Sequence, residues 1–113
     1  MFNTTLEAAT NADHLTDFNA SNADAIFLSR AIFSNLTTLN GALGSSDFGS
    51  VSDGTGETAT FGAGVHIIYD SQTGNLFYDS DGGNTTSGRS LFAVLDNAPS
   101  TAAFTNADIL VGA

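Results

Sequence analysis

Cysteine, lysine and tryptophan are all absent from this 113-residue chain, and proline occurs once, at Pro99. Without cysteine there is no disulfide framework, no thiolate metal site and no cysteine nucleophile, so any staple for so small a core must be of another kind. A hard cation held by oxygen ligands is the obvious candidate. Basic residues are nearly missing too. Arg30 and Arg89 stand against twelve carboxylates, for a formal net charge of −10, so a nucleic-acid backbone or an anionic membrane surface would repel the chain. No apolar run reaches the roughly 18 residues that span a bilayer, and the start lacks the basic-then-apolar pattern of a cleavable signal. Membrane insertion is not expected. Catalytic parts are scarce as well: His14 and His66 are the only histidines and Glu7 and Glu57 the only glutamates. No Gly-x-Ser-x-Gly, His-Glu-x-x-His or phosphate-cradling glycine loop occurs. The two histidines read as an exposed rung residue and a strand-face residue, and the chain is not expected to be an enzyme.

What is present describes a folded chain. Hydrophobic residues make up 42%, nine of them Phe, and only 12% of residues are charged, unlike the charged, aromatic-poor composition of disordered segments. The length fits a single domain over residues 1–113. Ser, Thr, Asn and Gly are spread throughout, which discourages long helices and points to a mainly β fold of short strands. Asp13–Phe18 and Asp24–Leu28 read as two strand-like rungs joined by the polar turn 19–22. Apolar residues at 32, 33, 36 and 39, after Ser29 as a cap, predict one short helix over 30–39. Residues 40–64 hold seven of the twelve glycines and read as a long surface excursion anchored by Leu43, Phe48, Val51 and Phe61.

The clearest local pattern is a hairpin. Val65–Asp70 and Leu76–Asp79 flank Ser71-Gln72-Thr73-Gly74-Asn75, where Gly74 supplies the left-handed backbone that such a loop needs. With Asp70 opposite Asn75, Tyr69 faces Leu76, Ile68 faces Phe77 and Ile67 faces Tyr78, so both faces of the hairpin are expected to be covered. Leu91–Leu95 and Ile109–Val111 read as further strands. Asn-Ala-Asp recurs at 11, 22 and 106, too unevenly for a repeat period.

Two acidic segments are candidate metal sites. Asp79-Ser80-Asp81-Gly82-Gly83-Asn84 alternates carboxylates with small residues and then bends at two glycines, so Asp79, Asp81 and Asn84 could converge on one ion. Ca²⁺ takes six to eight oxygens in irregular geometry. The segment is not an EF-hand, since positions six and twelve would be Asn84 and Ser90 where that loop needs Gly and Glu. Asn11, Asp13, Asp17 and Asp24 form the second cluster, with Asp13 and Asp17 on one face of an extended strand. The alternative for both is plain turn chemistry, because Asp bonds its own backbone. Bulk acidity alone also occurs in halophilic or highly soluble proteins.

These same residues resemble the C-terminal region of bacterial RTX proteins, also called hemolysin-type calcium-binding proteins, which are exported by type I secretion. Residues 11–18, Asn-Ala-Asp-His-Leu-Thr-Asp-Phe, look like the family's N-x-D-x-I-x-D-F element, and Asp24–Ser29 like D-x-I-x-L-S. Ile67–Gly82 is similar to I-I-Y-D/N-x-x-T-G-x-L-Y-Y-D-x-D-G, the most specific part of the match. Phe92–Leu95 resembles F-A-x-L, and Thr105–Val111 resembles the closing L-T-x-x-D-F-L-V, with Ile109 in place of Phe and Gly112-Ala113 beyond it. No Gly-Gly-x-Gly-x-Asp nonapeptide is present, so the tandem repeats lie outside this chain or are missing, and the chain reads as a fragment.

The resemblance implies the end of a β-roll followed by antiparallel hairpins, and a cap that couples folding to calcium and carries an uncleaved export signal. It implies Ca²⁺ as the cofactor, the preceding repeats and the type I machinery as partners, and an extracellular or cell-surface location. Crowded carboxylates would keep the segment loose where calcium is scarce, and millimolar Ca²⁺ would stabilise the folded form by mass action. The rival expectation is a calcium-dependent adhesion or self-assembly domain.

Overall fold

The structure is a computed structural model that describes residues 13–15, 26–29, 33–36, 41–86, 88–96, 100 and 104–112. The fold is mainly β, as expected. Its strands are β1 (Asp13–Leu15), β2 (Ile26–Ser29), β3 (Gly41–Ala42), β4 (Phe48–Val51), β5 (Ile67–Asp70), β6 (Asn75–Asp79), β7 (Arg89–Leu95) and β8 (Ile109–Gly112). They form a five-stranded sheet in the order β1-β7-β6-β5-β4 and a three-stranded sheet in the order β2-β8-β3. Among the described residues no helix is long and apolar enough to cross a membrane.

The β5–β6 hairpin has the register that its alternation predicts: Ile67 opposite Tyr78, Ile68 opposite Phe77, Tyr69 opposite Leu76 and Asp70 opposite Asn75. Gly74 closes it at φ +80°, its N–H donating to the Asp70 carbonyl at 2.7 Å. Ile67, Tyr69, Leu76 and Tyr78 enter one core with Ile26, Leu28, Ile109 and Val111 of the smaller sheet. This is the period-two pattern of strands that bury one face. Ile68 and Phe77 are buried too, on the opposite face. Along β7 the ladder slips beside Leu76 and Phe77, and the extra residue of this bulge, Phe92, joins the core. Its ring meets Phe33 edge-on at 5.0 Å, and Phe33 meets Tyr78 in the same way at 5.0 Å, an arrangement that aromatic quadrupoles favour.

Three expectations need amending. Residues 40–64 are more than an excursion, because β4 pairs in parallel with β5 and extends the larger sheet. Its Gly49 stands where a Cβ would run into the Phe61 ring, so the strand lacks the alternating bulky side chains by which strands are recognised. In the stretch 30–39, the described residues 33–36 form a turn instead of an α-helix. There the Asn35 N–H donates to the Tyr78 hydroxyl at 3.1 Å, where a helix would direct it to its own backbone. Phe33 and Leu36 are buried as their spacing implied; residues 30–32 and 37–40 lie outside the described residues. Finally, the end of a β-roll is not shown. Besides the antiparallel pairs the two sheets hold three parallel ones, β1 with β7, β2 with β8 and β4 with β5.

Candidate functional site

The face of the larger sheet that turns away from the main core meets the segment 52–64 at Gly56 and Phe61, and it buries polar side chains as well as Ile68 and Phe77. One row of side chains crosses it. Phe48 pairs with Ile67, which sets Asp47 beside His66, whose N–H donates to the Asp47 carbonyl at 2.9 Å. The Asp79 N–H donates to the His66 carbonyl at 2.8 Å, and Asp79 stands opposite Arg89. Directly opposed residues share a face, so Asp47 and His66, which immediately precede β4 and β5, line up with Asp79 of β6 and Arg89 of β7. Asp47 and His66 are both buried, and His66 Nδ1 lies 3.3 Å from Asp47 Oδ1.

Arg89 organises the row. Its side chain is 1% exposed, and all three of its nitrogens donate. Nε donates to Asp79 Oδ2 at 2.9 Å. Nη1 donates to the carbonyls of Gly56 and Ala59 at 3.0 and 2.7 Å, and Nη2 to those of Gly83 and Thr85 at 3.5 and 3.2 Å. The five N–H groups of a guanidinium thus have five acceptors, drawn from strand β6 and from two separate loops. The Phe61 ring centre is 6.0 Å from the guanidinium carbon, at the outer limit of a cation–π contact.

Asp79 is fully buried and only half satisfied. Oδ2 holds Arg89, whereas Oδ1 has no hydrogen-bond partner. The Asp81 carboxyl reaches Asp79 from the rim of the turn, and Asp81 is exposed. Two ionised carboxylates carry no donor between them, so their contact calls for a proton or a cation. Burial first, and contact with Asp81 second, push the Asp79 carboxyl above the ordinary range, against the opposing pull of Arg89. The turn is itself tightly built. The Ser80 N–H donates to the Gly88 carbonyl at 3.2 Å. Gly82, at φ +99°, lies against the Ala63 carbonyl where no side chain fits.

Asp70, at the other end of the hairpin, is equally buried but fully engaged. Its Oδ1 accepts the Gln72 and Gly54 N–H groups at 3.0 and 3.3 Å, and its Oδ2 the Gly56 N–H at 2.9 Å. It pins the 52–56 loop and leaves no lone oxygen for an ion.

Of the residues singled out from sequence, Asp79 and Asp81 are brought together, and Asn84 lies exposed further along the same turn. Asp13 opens β1 opposite Ala93; Asn11, Asp17 and Asp24 lie outside the described residues. Among the described residues no group of three or more His, Asp or Glu side chains is arranged to hold a metal. A cation here would therefore have two carboxylates and complete its shell with backbone oxygen and water. An orphaned Oδ1, in a carboxyl that also contacts Asp81, fits that role, with Asp79 and Asp81 as the charged ligands. Calcium bound there would supply the positive charge that the pair lacks. Sequence reasoning missed Asp47 and Arg89. The signal for Arg89 was its rarity, one of two cations among twelve carboxylates, placed just beyond the acidic turn.

No family model, curated protein or solved structure matches the chain.

Proposed function

We propose that this chain is the calcium-binding C-terminal module of a larger secreted protein of RTX type. In this reading it closes the end of a β-roll, couples folding to extracellular Ca²⁺ and carries an uncleaved type I export signal; it is a structural and binding module, not an enzyme. The observation that carries this reading is the pairing of the two edge strands. β1 and β2 follow one another in the chain, lie at the edges of different sheets, and stack in parallel on β7 and β8, which are consecutive in the same way. Strands that alternate between two sheets and stack in parallel are how a roll is wound. Among the described residues the outer edges of β1 and β2 are unpaired, and an open edge is a template for another strand. In this reading the preceding coil of a parent roll fills both.

Calcium is the test. With an extracellular-type affinity of about 10⁻⁴–10⁻³ M, a few millimolar Ca²⁺ adds on the order of 1 kcal/mol per site. Thermal melts followed by circular dichroism are expected to move up by roughly 4–8 °C between EDTA and Ca²⁺ for a domain of this size. Coincident melts would overturn the calcium reading.

The adhesion or self-assembly reading has one observation of its own. Phe27 is 46% exposed and sits in register with Leu110, which in turn faces Ala42. This is a short apolar row across the smaller sheet. Sedimentation separates the two readings: a monomer with and without Ca²⁺ is expected for the capping module, and calcium-dependent association that Phe27→Ser abolishes would favour assembly.

A further inference from the structure

We infer that a single hard divalent cation binds at the mouth of the 80–88 turn, between the buried Oδ1 of Asp79 and the carboxylate of Asp81, and that Arg89 is the positioning residue that sets this site. The inference rests on the calcium reading above and names where the ion is held.

A pair of acidic residues is no site by itself. What singles this one out is that Asp79 is fully buried and its Oδ1 is left without a hydrogen bond, while the other buried carboxylate with the same place at a hairpin end, Asp70, receives three backbone N–H groups. Buried polar atoms are paired as a rule, so the orphan oxygen asks for a partner, and the other side chain in contact with the Asp79 carboxyl is a second anion, Asp81. A cation resolves both problems at once. Arg89 cannot do so, because its five N–H groups are already committed.

Arg89 also shapes the ligation. By holding Oδ2 at 2.9 Å it leaves Asp79 one free oxygen, so Asp79 ligates through a single atom. Asp81 comes from the exposed side, which keeps the ion open to water. Few charged ligands and a wet shell place the affinity at the weak, extracellular end of calcium sites. The ion would fix Asp81 over Asp79, and therefore the turn that Gly83 and Thr85 tie to Arg89. Through the Gly56 and Ala59 carbonyls the same guanidinium holds the 52–64 segment, so ligand binding tightens both loops together.

The test uses the whole chain with CaCl₂ as the probe. Asp81→Asn is the informative substitution, because Asp81 is exposed and its loss spares the Arg89 pair. By calorimetric titration it is expected to weaken calcium binding at least about tenfold, since ligand charge tunes affinity, and to remove the calcium-dependent rise in Tm. Without metal its Tm is expected to equal or exceed that of the parent chain, because a like-charge contact is gone. Glu57→Gln, which removes an exposed carboxylate elsewhere, is the control and should respond to Ca²⁺ as the parent does. If Asp81→Asn retains the full response, the ion lies elsewhere and this site is wrong while the calcium reading stands. Equal loss in Glu57→Gln means bulk charge screening and overturns the site. No response in the parent chain overturns both.

Discussion

Replacing Arg89 with methionine is expected to destabilise the domain more than any other single substitution at the site. The methionine keeps most of the apolar stem but removes every donor. It leaves the Asp79 carboxylate buried without its counter-charge, and the carbonyls of Gly56, Ala59, Gly83 and Thr85 lose the partner they share. Removing one member of a buried ion pair costs about 3–5 kcal/mol, which lowers Tm by roughly 15–30 °C in a domain of this length. Total stabilities are only about 5–15 kcal/mol, so a chain at the low end would lose its cooperative transition altogether. Arg89→Lys restores the charge but not the five-way fork, and should recover only part of the loss. The double variant Arg89→Met/Asp79→Met should be more stable than Arg89→Met alone, because the uncompensated carboxylate is gone. A single Arg89→Met variant that melts within a few degrees of the parent would show that the guanidinium does not hold the two loops.

The second large effect is expected at Gly74. A Cβ there would clash with the carbonyl of Leu95, and the backbone is held at φ +80°. The position cannot relax by moving a side chain, since the obstacle is the main chain of β7, bonded to Gly74 through the Leu95 N–H at 2.7 Å. Gly74→Ala must therefore separate the hairpin loop from the end of β7, at an expected cost of about 2–4 kcal/mol. Gly41 provides the comparison. It has a similar φ of +86° but nothing within 4 Å of its would-be Cβ, so Gly41→Ala should cost only about 1 kcal/mol, the conformational part alone. Denaturant melts of the two variants measure the difference. Equal losses would mean that the close approach of β7 contributes nothing.

The hairpin was legible because everything that fixes it is local: alternating side chains, a turn of known length, and a glycine where the backbone must go left-handed. The role of its two terminal aspartates was not. Asp70 and Asp79 look alike in sequence, each ending an apolar strand. One is satisfied by two amides of a loop up to 16 residues away and one of its own turn; the other is held on one oxygen by an arginine ten residues on. That second pairing depends on the register of β6 against β7, which contains a bulge that the alternation of Leu91–Leu95 does not reveal. Asp81 was recognisable as a carboxylate on the same turn, but the orphan oxygen behind it arises only because Arg89 takes one side of Asp79. β4 was hidden for a different reason: Gly49 and Ser50 lack the side chains by which a strand announces itself, and the Phe61 ring that lies against Gly49 comes from a loop. Asn11, Asp17 and Asp24 fall outside the described residues, and only their spacing speaks for a second cluster.

The parallel pairs at the sheet edges also set the order in which the domain can form. Ile26 is matched with Ile109 and Asp13 with Ala93, so among the described residues the first two strands have no partner until about eighty residues later have been made available. Contacts of such long range are slow to close. Whichever end leads through a ribosome exit tunnel or a transport channel, neither edge strand can be seated while the remainder is still inside. The final collapse is then a single late event, and the period before it is when the chain is most open to proteases and unfolding channels.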